Sequence, residues 1–190
     1  FVNGWTDAPN AIATVVSTGV LTPRQAVIMA VVMNTIGAMS GTAVATTVAK
    51  VIVQPSALTT ASITATMVSI VAWGTMAARF GIPVSKSHAL LAGLAGAAFA
   101  GQGWGALQWV GWEKVGIGMV LSLVFGFTGA FALGRIIIAV AANAKPTRAK
   151  QRFDRLQLAS AAFLAFNHGL NDGQKFMGVF ALTLFTAGAV

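Results

Sequence analysis

The sequence predicts an all-α membrane protein, built as a multi-span bundle of helices. Of the 190 residues, 56% are hydrophobic and only 8% are charged, whereas an ordinary soluble domain has about 25% charged residues. Three long stretches carry no charged residue: between Lys50 and Arg79, between His88 and Glu113, and between Lys114 and Arg135. Each can supply a membrane span, and about five or six spanning or re-entrant segments of roughly 20 residues fit the chain.

The first three apolar segments precede residue 80. One covers residues 11–21, and the second begins at Gln25 and extends towards Lys50. Pro55 separates the second segment from the third, because proline has no backbone N–H and restricts the residue before it. The third segment covers residues 59–78.

The next part of the chain contains an interrupted segment. Residues 81–101 begin with Gly-Ile-Pro and continue as a run of small apolar residues that is short for a span, which favours a re-entrant hairpin. Three tryptophans in GQGWGALQWVGWEK indicate the membrane interface. A further span is predicted over residues 115–141.

Residues 142–157 are predicted to form a basic loop. This segment contains one acidic residue, Asp154, and five basic residues: Lys145, Arg148, Lys150, Arg152 and Arg155. Excess positive charge between spans places a loop in the cytoplasm, so the net charge of +8 indicates orientation and no nucleic-acid partner. The absence of cysteine excludes disulfides and thiolate metal sites.

A short repeat places polar residues in two distant segments. FVNGWTDAPN aligns with FNHGLNDGQK, so that Asp7 falls on Asp172 and Asn10 on Lys175. Only four residues of the chain are acidic, and two of them occupy this matched position. An ionised group at membrane depth costs about 2.5–3.5 kcal/mol, so such groups usually face a cavity, a partner or a transport pathway. Broken helices at corresponding positions of an inverted repeat are typical of secondary transporters.

Some of these polar residues could instead have purely structural roles. Asp172 and Lys175 are three residues apart and could form a structural ion pair, and His168 could be an interior histidine. His168 and Asp172 have the spacing of metal ligands, but two histidines without cysteine argue against a closed metal site. Asp7 and Asn10 have no basic residue nearby in sequence, which favours a functional role.

Four polar residues lie between Pro83 and a helical run: Ser85, Lys86, Ser87 and His88. A serine at this position can simply cap the helix. A helix N-terminus with hydroxyl donors and an ammonium group can also bind an oxyanion. The cluster as a whole favours anion binding.

These motifs resemble those of the PiT family of inorganic phosphate transporters. The similarity rests on GWTDAPNAIAT, GIPVSKSHALLAGLAG and RLQLASAAFLAFNHGLNDGQKFMG, which occur in the family's order. The resemblance implies a non-enzymatic symporter of phosphate, free or as a metal–phosphate complex. It further implies a sodium or proton gradient as the driving force, no cofactor, a multi-pass location in the cell membrane and a homo-oligomer.

The resemblance implies a site formed by Asp7 and Asn10, by Ser85 and Ser87, and by Asn171 and Asp172. The charged or titratable residues near them, Lys86, His168 and Lys175, are added to this site from their own chemistry. Phosphate would contact Asp7, Ser85, Lys86, Ser87, Asn171 and Asp172. The coupling ion would contact Asp7, Asn10, His168, Asp172 and Lys175. The chain departs from the family pattern at Pro9, at Lys86 and in lacking a second P-x-S-x-S-H motif.

Lys175 bears on the coupling ion. A protonated lysine has no lone pair to offer sodium, and its ammonium group would neutralise Asp172. We therefore expect proton coupling, with sodium coupling as the alternative. A membrane enzyme or channel subunit using His88, His168 and Asp172 is a further hypothesis, although no nucleophile or metal set has a recognisable spacing.

The domain organisation follows from the repeat. Residues 1–141 are expected to form the first repeat with a hairpin near 81–101, residues 142–157 the basic loop, and residues 158–190 the start of a second repeat. Since the chain begins at Phe1 in mid-pattern, we expect it to be a fragment that lacks the second hairpin.

Overall fold

The computed structural model describes residues 1–50, 52–142 and 144–189, without the side chains of residues 47–50. Over these ranges the regular structure is helical, apart from one isolated β-bridge between Val53 and Leu107. The all-α class is therefore confirmed. The inverted repeat and the re-entrant hairpin stay predictions.

The first two helices flank an acidic residue. Helix α1 covers Val2–Thr6 and α2 covers Pro9–Ser17, so Asp7 lies between them. The backbone N–H at the first position of a helix has no acceptor within the helix, so proline, which lacks an N–H, is tolerated there. Pro9, a departure from the family pattern, thus begins α2.

The predicted second segment is divided into two helices. Helix α3 covers Pro23–Met39, and α4 covers Ala43–Lys50. A capping box between Thr22 and Gln25 begins α3. The predicted segment from Gln25 towards Lys50 is therefore interrupted, because the intervening Ser-Gly-Thr sequence favours a turn over a helix interior.

Two helices follow the proline-containing turn. Helix α5 covers Thr60–Arg79, close to the predicted limits, and α6 covers Lys86–Gln102. Short 3₁₀ turns occur at Pro55–Ala57 and Gly103–Ala106. Residues 81–85 are not helical, so α6 begins directly after the Gly-Ile-Pro interruption.

Helix α7 is the longest described helix and covers Trp109–Ala141. It begins six residues before the predicted span and includes two of the tryptophans that the sequence assigned to the membrane interface, a position that stays a prediction. Among the described helices, α5 and α7 are long and apolar enough to cross a bilayer, with mean hydropathies of 1.4 and 2.0. The larger number of spans expected from the sequence stays a prediction.

Residues 146–157 of the basic segment are helical, where the sequence predicted a loop, and the cytoplasmic location of this segment stays a prediction. Helix α8 covers Pro146–His168. Pro146 suits its first position, and an ion pair at i,i+4 joins Lys150 to Asp154 at 2.7 Å. A π-helical segment, Gly169–Gly173, then leads into α9, which covers Gln174–Thr186.

Packing joins the two ends of the chain. Helix α3 lies along α8 and the π segment, and α4 lies against α9. A Cβ atom at Gly37 would clash with the carbonyl of Phe166, and one at Gly169 with the carbonyl of Asn34. Glycine at both positions lets the two backbones touch, as is usual for helices packed in lipid.

Candidate functional site

An open cavity of about 610 Å³ brings the polar residues of both repeat motifs together. The residues that line it are Asp7, Asn10, Ala11, Pro83, Val84, Ser85, Leu164, Asn167, His168, Asn171 and Asp172. The predicted residues Lys86, Ser87 and Lys175 are not in its lining, but each contacts one of the two aspartates. The fold therefore gathers all the predicted site residues into one region.

Asp7 forms an ion pair with Lys86. The Nζ atom of Lys86 lies 3.0 Å from Oδ1 of Asp7, and the two side chains are 5% and 20% exposed. Lys86 comes from the first turn of α6, whereas Asp7 lies between α1 and α2. Asp7 therefore lacks a basic neighbour only in sequence, since the fold supplies one.

Asp172 belongs to a three-residue network. Its Oδ1 atom accepts hydrogen bonds from Lys175 Nζ at 2.8 Å and from Ser87 Oγ at 3.2 Å. Lys175 also donates to Ser87 Oγ at 2.6 Å. The ion pair that the sequence left open thus exists. Ser87 is engaged by this network, so its role as a phosphate donor stays a prediction.

The other oxygen of Asp172 faces His168. Oδ2 lies 3.6 Å from His168 Nε2, which is too long for a hydrogen bond. On the opposite edge of the ring, Nδ1 lies 2.6 Å from Oδ1 of Asn34. Asn34 was not predicted as a site residue, although an asparagine within the apolar run AVIMAVVMNTIGAM is a signal for one. The ammonium group of Lys175 donates a hydrogen bond to Oδ1 of Asp172. It therefore occupies a position from which a metal ion would bind that oxygen.

Ser85 caps α6, as expected of a serine directly before a helical run. Its Oγ accepts a hydrogen bond from the backbone N–H of His88 at 3.3 Å. A hydroxyl group has one hydrogen to donate as well. The described residues provide no acceptor for that hydrogen, and Ser85 is exposed in the cavity. It can therefore cap the helix and donate to a ligand at the same time.

Two amides extend the polar wall of the cavity. The Nδ2 atom of Asn171 donates to the carbonyl of Asn167 at 2.9 Å, and Nδ2 of Asn167 donates to the carbonyl of Phe163 at 2.9 Å. Each NH₂ group retains a second hydrogen. Asn10 faces the cavity from α2 and is exposed. Several amide donors are thus available to an oxyanion.

Comparison with known proteins identifies the family. The chain matches the Phosphate transporter family over residues 3–146 and 136–189. It belongs to this family. The phosphate transporter resemblance inferred from the motifs is therefore confirmed, and the protein is a membrane protein.

Several bacterial members of the phosphate transporter family are similar over nearly the whole chain. A Bacillus subtilis protein named "Probable low-affinity inorganic phosphate transporter" is 40% identical over 189 residues, which are 98% of this chain and 57% of that protein. A Rhizobium meliloti protein of the same name is 39% identical over 99% of the chain and 57% of its own length. One from Streptomyces halstedii is 38% identical over 90% of the chain and 80% of its length. The chain spans little more than half of the first two relatives. No solved structure matches it.

Proposed function

We propose that the protein moves inorganic phosphate across the cell membrane as a multi-pass symporter coupled to protons. The observation that carries this proposal is the shared cavity, in which Asp7 of one repeat motif and Asp172 of the other lie together. The names of the relatives support phosphate as the substrate.

The charges of the site suit an anion. A carboxylate 4 Å from a phosphate oxygen would repel it by about 4 kcal/mol at an effective dielectric constant of 20. Lys86 and Lys175 each place an ammonium group within 3.0 Å of one aspartate, which offsets that repulsion. Ser85 and the amides of Asn167 and Asn171 then offer hydrogen-bond donors to the anion.

The same lysines support protons over sodium as the coupling ion. Sodium requires oxygen lone pairs, and at both aspartates an oxygen is already occupied by a built-in ammonium group. A proton needs only one basic atom, such as Oδ2 of Asp172 or Nε2 of His168. Sodium coupling is the alternative that the experiment must distinguish.

Uptake of labelled phosphate into proteoliposomes holding the full-length protein tests the proposal. We expect uptake to persist when choline replaces sodium at fixed pH, and to increase with an inward proton gradient. Loss of uptake in choline, without a response to the proton gradient, would establish sodium coupling instead. Asp172→Asn should abolish uptake in either medium, because it removes the carboxylate that both ions would use.

Counterflow in the same vesicles distinguishes a carrier from a channel or an enzyme. A carrier preloaded with unlabelled phosphate accumulates labelled phosphate transiently, whereas a channel equilibrates it without accumulation. Release of phosphate from an ester substrate, without counterflow, would indicate the enzyme hypothesis that involves His88, His168 and Asp172.

A further inference from the structure

We propose that Asn34 is a positioning residue that fixes the tautomer of His168, and that the facing atoms His168 Nε2 and Asp172 Oδ2 form the binding site of the transported proton. This inference rests on the proposed proton coupling. It adds a residue that lies outside the repeat motifs and names the atoms that hold the proton.

The orientation of the Asn34 amide follows from its two contacts. Nδ2 donates to the carbonyl of Ala30 at 2.8 Å. A rotated amide would place two oxygen atoms against each other at that distance, so the Oδ1 atom must face His168. An oxygen cannot donate a hydrogen bond. The His168 Nδ1 atom, 2.6 Å away, must therefore carry a hydrogen.

The other ring nitrogen is left as a proton acceptor. With hydrogen on Nδ1, a neutral imidazole has a lone pair on Nε2. This atom is buried and has no hydrogen-bond partner among the described residues. It lies 3.6 Å from Asp172 Oδ2, so two lone pairs face each other. One added proton converts this unfavourable contact into a charge-assisted hydrogen bond.

The neighbouring polar groups leave one oxygen of Asp172 for the histidine. Lys175 and Ser87 already satisfy Oδ1 of Asp172, which leaves Oδ2 for His168. Across the cavity, Asp7 is paired with Lys86 and adds no net charge.

The helices packed beside His168 contribute no competing acid or base. Helix α2 contains no titratable side chain, and α3 contains only Arg24, at its far end. Asp172, Lys175 and the acceptor on Asn34 are therefore the charged and polar groups that we assign to the surroundings of His168.

Close backbone packing holds Asn34 in place. Gly169, the residue after His168, has no side chain, and a Cβ atom there would overlap the backbone of Asn34. This contact fixes the distance between α3 and the π segment. The acceptor on Asn34 is thereby held at the edge of the imidazole ring.

Nitrogen-15 NMR of histidine-labelled protein tests the tautomer directly. His168 is assigned by comparison with His168→Gln, which removes its signals. At alkaline pH we expect Nδ1 to be the protonated nitrogen of neutral His168. Protonation of Nε2 in the neutral ring would overturn the inference, whatever the protein transports.

Variants of Asn34 separate positioning from simple packing. Asn34→Leu removes the acceptor, so neutral His168 should change to the Nε2–H tautomer and donate to Asp172 permanently. Asn34→Asp loses the hydrogen bond to the Ala30 carbonyl but keeps an oxygen acceptor for Nδ1, so it should retain the Nδ1–H tautomer. Thr35→Val removes a neighbouring hydroxyl group of α3, whose one hydrogen bond among the described residues goes to the Val31 carbonyl. It should leave the tautomer unchanged. The same tautomer in all variants would contradict the role of Asn34.

The pH profile of phosphate uptake tests the proton site. An anionic acceptor favours imidazolium, so the pH profile of uptake by Asn34→Asp should be displaced to higher pH. The pH dependence of uptake has one part that comes from the ionisation of phosphate and a second part that comes from the protein. Asn34→Leu should lose the second part. Unchanged profiles with wild-type uptake would overturn the proton site alone, whereas absence of uptake in the wild type would overturn the proposed function.

Discussion

The Nζ atom of Lys86 lies 3.0 Å from Oδ1 of Asp7, although 79 residues separate them in sequence. Lys86 was predicted to attract phosphate at the start of α6, and it neutralises the aspartate of the first repeat motif. Lys175 does the same for Asp172 in the second motif. Each aspartate in the cavity thus has its own ammonium group, supplied by a distant residue in one case and by a residue three positions away in the other.

Breaking the first pair should destabilise the protein. Asp7→Asn leaves the buried ammonium of Lys86 without a counter-charge, and we expect a loss of about 3 kcal/mol, the lower end for a broken buried pair. The double variant Asp7→Asn with Lys86→Met should regain most of this loss without regaining uptake. Thermal unfolding in detergent measures the stability of both variants, and proteoliposome uptake measures their transport.

Lys150→Met provides the matched control for this pair. It removes an exposed lysine whose partner is Asp154, and exposed pairs contribute only about 0–1 kcal/mol. Equal stabilities of Asp7→Asn and Lys150→Met would show that the buried pair contributes no more to the free energy of unfolding than the exposed pair does.

Two variants of Ser85 separate capping from ligand binding. Both Ser85→Ala and Ser85→Gly remove the hydroxyl donor, and each should raise the KM for phosphate by a factor of about 2–10, corresponding to one hydrogen bond of about 0.5–1.5 kcal/mol. Only the alanine variant should lose about 1 kcal/mol of stability, because glycine is a tolerated N-cap. An unchanged KM in both variants would limit Ser85 to capping.

Lys175→Asn should alter the ion dependence of uptake. It removes the ammonium from Asp172 and restores the side-chain oxygen that Asn10 has in the first motif. We expect a weaker response to an imposed proton gradient and a new stimulation by sodium, measured by uptake in sodium and in choline. Wild-type behaviour in both media would show that Lys175 does not determine the coupling ion.

Gly169→Ala should prevent normal packing of α3 against the π segment. The added methyl group would overlap the backbone of Asn34, which cannot move as a flexible side chain can. We expect little folded protein by size-exclusion chromatography. Gly126→Ala on α7 is the control, because a Cβ atom there meets nothing within 4 Å. Similar yields of the two variants would contradict the close contact.

Local patterns predicted some elements well and others poorly. The limits of α5 were predicted closely, because Pro55 and the capping residue Thr59 mark its start and no charged group interrupts it. The sequence also indicated that Ser85 could cap a helix. The basic segment was predicted as a loop because its charge was prominent, yet its residues are good helix formers and Pro146 begins a helix there.

The sequence by itself determined the membrane class, the family and the positions of the polar groups. The membrane class depends on composition. The family and the polar positions depend on short motifs, whose residues are neighbours in the sequence. Only the tertiary structure decided the partners, because the pairing of Asp7 with Lys86, of Ser87 with Lys175 and of His168 with Asn34 joins segments far apart in the chain. Such contacts depend on distances of about 3 Å between packed helices, and spacing along the sequence does not encode these distances.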